Sequence, residues 1–355
     1  AANAEGEKGA DSAIDLAISK LRQGVSVAGL GFNVMSAVTQ GLGFNQSISR
    51  VGAKWIGAGI RDYIARPIDL TEQVNDLSEF MANRARTRFR ELNELENRVH
   101  DQMPVREKIA HYSYWMMLRV QQMVDVPTWW GAYNKAIDAG QEVERAASLA
   151  DQAVIDSQGS GMLKDLAAIE RGGQAQKLFT VFYSYMNTAL NLGVTKAMTE
   201  KGKAKLAADM LLLYTVPAVM GYLLKAALTP TGDDWDDEQL AKALVAAQID
   251  YLMGLMVVVR EFSEAAKLIA GVEDHKQDYR GPAGLRIVGD AVQFAGQASQ
   301  GDFDTAFRKA TVNLVGDAFG LPAAQINRTW TGVEALAEGE TDNPTAVVFG
   351  FKQQR

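Results

Sequence analysis

Residues 159–228 read GSGMLKDLAAIERGGQAQKLFTVFYSYMNTALNLGVTKAMTEKGKAKLAADMLLLYTVPAVMGYLLKAAL. Two runs inside this stretch, Leu178–Thr195 and Met210–Leu224, contain no charged residue, and a short basic segment with Lys196, Lys201, Lys203 and Lys205 around Gly202 joins them. The first run presents Leu178, Phe179, Phe182, Tyr183, Tyr185 and Met186; the second presents Leu211, Leu212, Leu213, Leu223 and Leu224. A membrane-crossing helix needs about 20 predominantly apolar residues, whereas runs of roughly 10–14 are more often buried core helices. These runs fall between the two classes. Ser184, Asn187, Thr188 and Asn191 interrupt the first, and Pro217 and Gly221 weaken the second. Such helices are expected either to insert in lipid or to serve as assembly surfaces.

Outward from that hairpin, the pattern stays helical. Thr71–Val99 carries one apolar stripe through Val74, Leu77, Met81, Ala85, Phe89, Leu92, Leu95 and Val99, the three-and-four spacing of an amphipathic helix. A helix after Pro104 is expected to stop before Pro127, and a new one to open at Thr128 and end near Gly140. Gln141–Ser157 is a further amphipathic helix, broken at Gln158–Gly161. Beyond the hairpin, Leu240–Phe262 is a third long apolar helix, preceded by the acidic run Asp233–Glu238, which complements a helix N-terminus. Asp304 is placed to cap a helix through Phe307, Pro322 opens a last one, and the tail after Gly339 reads as loop. No run alternates with period two between hairpin turns. The fold class is all-α: an elongated multi-helix assembly with long semi-apolar central helices and no sheet. Three regions are expected: 1–157, 158–270 with the central hairpin and third apolar helix, and 271–355.

With 355 residues, 47% of them hydrophobic and 22% charged, the chain has ample material for a core. A net charge of −7 argues against a dedicated nucleic-acid binder. The absence of cysteine excludes disulfides and thiolate metal sites. The opening AANAEGEKGADSA has neither the basic segment and apolar core of a leader nor an initiator Met, as expected of a piece of a longer polypeptide. The stretch from Gln23 to Ser49 is uncharged and contains GLGFN twice, at Gly29–Asn33 and Gly41–Asn45. Gly29, Gly31, Gly41, Gly43, Gly57 and Gly59 let helices approach closely, in a soluble bundle or between subunits. Homo-oligomerisation is expected from so much small and uncharged sequence.

Catalytic chemistry is hard to find. His100, His111 and His275 are scattered, and no nucleophile elbow or phosphate loop occurs. No catalytic, metal-binding or cofactor-binding residue is assigned, and no enzymatic activity is expected of this stretch. Arg84, Arg86, Arg88 and Arg90 could touch nucleic acid, but they spread over more than one helix face and Glu91, Glu94 and Glu96 follow them. A solvated face with ion pairs is the stronger reading.

Four segments carry a resemblance: Gly159–Asn191, with its KDLAAIERGG entry into FYSYMN; the early LGFN; Tyr279–Asp290 (YRGPAGLRIVGD); and Leu321–Trp330 (LPAAQINRTW). Together they touch most of the chain. They resemble the C-terminal region of the large polyvalent proteins of tailed bacteriophages, including internal virion proteins delivered with the genome. The resemblance implies a structural helical module of a longer polypeptide, held inside the virion and ejected with the DNA to help form a channel across the host envelope. Implied partners are further copies, other ejection proteins or the portal, the host membrane, and phage DNA passing without sequence specificity. Enzymatic domains of such polypeptides lie elsewhere, so no catalytic residue carries over. Helices with local contacts and no disulfides also suit a chain that must unfold and refold around a narrow portal.

Overall fold

The computed structural model describes residues 21, 24–25, 27–29, 31–84, 112, 115–159, 183–229, 237–254, 283–300 and 303–352. Among these residues the regular elements are all helical and no strand is present, so the chain is all-α.

Helix α1 (Val34–Thr39) begins at Asn33, whose Oδ1 accepts the Ser36 N–H at 3.0 Å while its Nδ2 donates to Gly29 O at 2.9 Å. A 3-10 turn (Gln40–Gly43) leads into α2 (Phe44–Val51). Gly52, at φ 110°, turns the chain into α3 (Ala53–Ala65), and Pro67 opens α4 (Pro67–Leu77). Ser78 then caps α5 (Glu79–Ala82) by accepting the Met81 N–H at 3.0 Å. Helix α6 (Trp115–Asp138) is followed by Gly140 at φ 78° and α7 (Val143–Gln158), which Gly159 ends at φ 72°.

The core forms where α6 packs between α3 and α7. Trp129, Ile56, Leu70, Val74 and Val154 are sealed from solvent there, with Ala147, Ala150 and Ala153 giving α7 a flat face for α6. Two glycines set the α3–α6 approach. A Cβ at Gly59 would stand 2.2 Å from Pro127 O, and one at Gly131 2.6 Å from Trp55 O. Burying an aromatic of this size contributes several kcal/mol, and Trp129 does so without stranding its indole: Nε1 donates to Asp151 Oδ1 at 2.7 Å.

The next elements are α8 (Tyr183–Thr199), α9 (Lys203–Met210), a π turn (Leu211–Thr215), α10 (Val216–Leu228) and α11 (Asp237–Gly254). The last are α12 (Ala283–Gln300), α13 (Thr305–Phe319), α14 (Ala323–Ala337) and α15 (Ala346–Phe349). Asp304 Oδ1 accepts the Phe307 N–H at 2.9 Å, the cap read from the sequence, and Pro322 precedes α14 as expected. The first and third sequence regions touch: a Cβ at Gly24 would lie 1.8 Å from Asp317 O, and one at Gly316 3.3 Å from Ala28 Cβ.

Three boundaries differ from the sequence reading. The helix expected from Thr71 begins at Pro67 and breaks at Ser78, because the Ser78 hydroxyl caps a new turn and donates to Asp151 Oδ1 at 2.6 Å; residues 85–99 lie outside the described set. The stop before Pro127 does not occur, since α6 runs through it under the α3 and α7 contacts. The tail forms α15, packed on α14 over Gly332, where a Cβ would meet Ala346 O at 1.9 Å.

Candidate functional site

From Lys203 to Leu228 the chain is one helical rod of 26 residues, the one helix among the described residues long and apolar enough to cross a membrane by length and composition. Only 17% of its most apolar 18-residue window is buried. A core helix passing the same length test would be mostly covered, and this one is not. Its inner side carries Leu213, Pro217 and Ala218, buried, with Gly221 against Leu42 of the 3-10 turn. Its outer side shows Leu211 at 57%, Met220 at 48% and Leu223 at 43% exposure, while Leu212 and Leu224 are half-buried. Helix α11 packs beside it and adds exposed Val245, Ile249 and Leu252.

The π turn lies where Pro217 would otherwise break the rod. Val216 N–H reaches back five residues to Leu211 O, and Pro217, having no N–H, cannot bond Leu213 O. Helix α11 supplies two donors to this turn: Tyr251 Oη donates to Leu213 O and Gln248 Nε2 to Tyr214 O, each at 3.3 Å. In lipid, every backbone polar group needs such an internal partner. On the other side, Gly193 of α8 leaves room for the Tyr214 ring, because a Cβ there would stand 1.7 Å from its hydroxyl. Tyr214 Oη in turn donates to Ala189 O at 3.3 Å.

A polar clamp fixes the foot of the rod. Asp209 is buried, accepts the Ser49 hydroxyl at 2.8 Å and pairs with Lys196 Nζ at 3.1 Å. Lys196 Nζ also donates to Ser49 O at 2.6 Å, and Lys135 Nζ to Val51 O at 2.6 Å, so two ammonium groups cap the carbonyl end of α2. Burial, then Arg50, Lys196 and Lys205, holds the Lys135 pKa below its ordinary value. Neither this clamp nor the roles of Gln248 and Tyr251 are visible in the local sequence pattern. A lone carboxylate at the margin of an uncharged run was the available sign.

Other residues named from the sequence fall elsewhere. Leu178, Phe179 and Phe182 lie outside the described residues, as do Arg86, Arg88 and Arg90; Tyr183, Tyr185 and Met186 sit in the first turn of α8. Arg84 is not a surface cation. It is buried with Asp125, Nε to Oδ2 at 3.0 Å, and also donates to Gly159 O, which ties α5 and α6 to the end of α7. Gly59 and Gly43 are used within the chain, Gly43 giving its carbonyl to Gln158 Nε2 at 2.8 Å. Gly31 is buried, Gly29 half-buried, and Gly41 and Gly57 have open space above them. The uncharged segment from Gln23 to Ser49 buries Val25, Val27, Ala28, Ala37, Gln46 and Ser47 inside this one chain.

An apolar concavity of about 550 Å³ is lined by Phe32 and, from α14, Ile326, Trp330 and Val333, with no ionisable side chain among the described residues that line it. Among the described residues no group of three His, Asp or Glu could hold a metal ion. No protein family, curated protein or solved structure matches the chain.

Proposed function

We propose that this chain is a non-enzymatic helical module of a tailed-phage internal virion protein, in which the Lys203–Leu228 rod enters the lipid of the host envelope during genome delivery. The observation that carries membrane entry is the exposed apolar side of that rod. The placement among virion proteins rests on the sequence resemblance at Gly159–Asn191, the early LGFN segment, Tyr279–Asp290 and Leu321–Trp330.

Magnitudes decide how far the rod goes in. Lys or Asp at a bilayer centre costs about 2.5–3.5 kcal/mol, whereas each Leu, Val or Phe contributes about 0.3–0.6 in favour. Lys203, Lys205 and Asp209 therefore stay at headgroup level. Met210–Leu228, roughly 19 residues and about 28 Å, matches a hydrocarbon core of about 30 Å. Lys225, one turn from the far end, can extend its amine to the opposite interface. Several copies side by side would supply a channel wall.

Co-flotation with liposomes tests the reading. With phosphatidylcholine liposomes the full chain should float, and the variant carrying Leu211→Glu, Met220→Glu and Leu223→Glu should not, with far-UV circular dichroism unchanged. A full chain that stays at the bottom of the gradient, soluble and assembled, would make the module architectural and rule out lipid entry.

A further inference from the structure

The basic segment at the junction of α8 and α9 stays outside the hydrocarbon core, yet the structure presents it as a surface. Lys201, Lys203 and Lys205 are all exposed, and Glu200 pairs with Lys205. One turn earlier on α8, Met198 is 81% exposed and Val194 also faces solvent. Behind them lie Lys196, held by Asp209 and Ser49, Lys135 on Val51 O, and Arg50, paired with Asp156. Among the described residues, six cations thus share this corner with three carboxylates, Asp156, Glu200 and Asp209. The excess is positive in a chain whose net charge is −7.

We infer that the α8–α9 corner is a docking surface for anionic lipid headgroups, with Lys201, Lys203 and Lys205 as the contacts and Val194 and Met198 as the shallow apolar anchor. Charge complementarity and position commit it to a bilayer. The corner is covalently continuous with the foot of the rod, so headgroups meet it whenever Met210–Leu228 lies in the core. Exposed apolar side chains beside lysines are the composition of an interfacial segment, which a phosphate ion in water would not require. The corner also sets orientation. Its cations hold the Lys203 end on the anionic leaflet, and Leu228 is the end that crosses. This inference rests on the proposed membrane entry but can fail separately from it.

The test compares the full chain with two variants: Lys201→Gln/Lys203→Gln/Lys205→Gln, and the same three positions changed to Arg. Each is titrated with phosphatidylcholine vesicles and with vesicles containing phosphatidylglycerol, in low and high salt. A cation near an anionic surface is worth about 1 kcal/mol, about fivefold, so the Gln variant should bind anionic vesicles about a hundredfold more weakly. The Arg variant should match the wild type, all three should bind neutral vesicles alike, and high salt should erase the difference. Equal binding of the Gln variant and the wild type to anionic vesicles would overturn the headgroup surface while leaving insertion intact. Binding of the Leu211→Glu/Met220→Glu/Leu223→Glu variant to anionic but not neutral vesicles would support the surface, and neutral-vesicle binding that survives those substitutions would contradict insertion. No binding to any vesicle overturns both. Duplex DNA that displaces the wild type from vesicles, and binds it but not the Gln variant, would reassign the corner to nucleic acid.

Discussion

Gly57 and Gly59 sit two residues apart in one helix, in a sequence that treats them alike, and only their surroundings separate them. Position 57 faces open space, whereas a methyl group at 59 would meet Pro127 O at 2.2 Å. Gly59→Ala should force α3 off α6 and lower stability by about 1–3 kcal/mol. Gly57→Ala should raise stability by up to about 1 kcal/mol, since alanine is the better helix former. Urea denaturation of the two variants checks both, and equal effects would contradict the close crossing. Asp151 offers a pH test. Burial raises its pKa from the usual carboxylate value, although Ser78 and Trp129 donate to it, and among the described residues no cation pairs with it. A group whose pKa is raised by folding adds stability that is complete below its unfolded pKa and is lost as pH rises through the folded one. The stability of Asp151→Asn relative to wild type should therefore be more favourable at pH 7 than near pH 4. A difference independent of pH would mean that the carboxylate is not perturbed by folding.

Among elements, periodicity was the dependable guide and local breakers were not. The apolar spacing of residues 74, 77 and 81 survives in the structure as buried Val74, half-buried Leu77 and buried Met81, but across a break at Ser78 that the stripe itself does not reveal. Pro127 misled in the opposite direction. Packing from α3 and α7 outweighs the missing hydrogen bond, about 3 kcal/mol in an exposed helix. In the rod, Pro217 was legible as a weakness. Its remedy, a π turn with donors from residues 248 and 251, depends on partners more than thirty residues away. The clamp on Asp209 was equally hidden. Asp209→Ala removes both the Lys196 pair and the Ser49 hydrogen bond, so amide exchange across Lys203–Leu228 should quicken by about tenfold to a hundredfold, or about 1.4–2.8 kcal/mol. Exchange in α6 and α7 should hold. If every helix quickens together, α9 and α10 do not open apart from the core.

For the whole molecule, the helical class followed from composition and spacing because nearly every apolar residue repeats at three or four. Which apolar helix would be left uncovered did not follow, since exposure depends on how much of each helix its neighbours reach. The rod is held on one side by Leu213, Pro217 and the clamp, and is open on the other. Under the proposed membrane entry, that asymmetry lets the rod stay docked on the core while its open side turns to lipid. The chain contains no cysteine, so a single Met220→Cys substitution carries an environment-sensitive fluorophore without background. On addition of vesicles containing phosphatidylglycerol, emission from position 220 should shift to the blue and become inaccessible to iodide, while a label at the exposed Arg145 should change in neither respect. A label at 220 that stays green-shifted and fully quenched by iodide on vesicle-bound protein would contradict insertion of the rod.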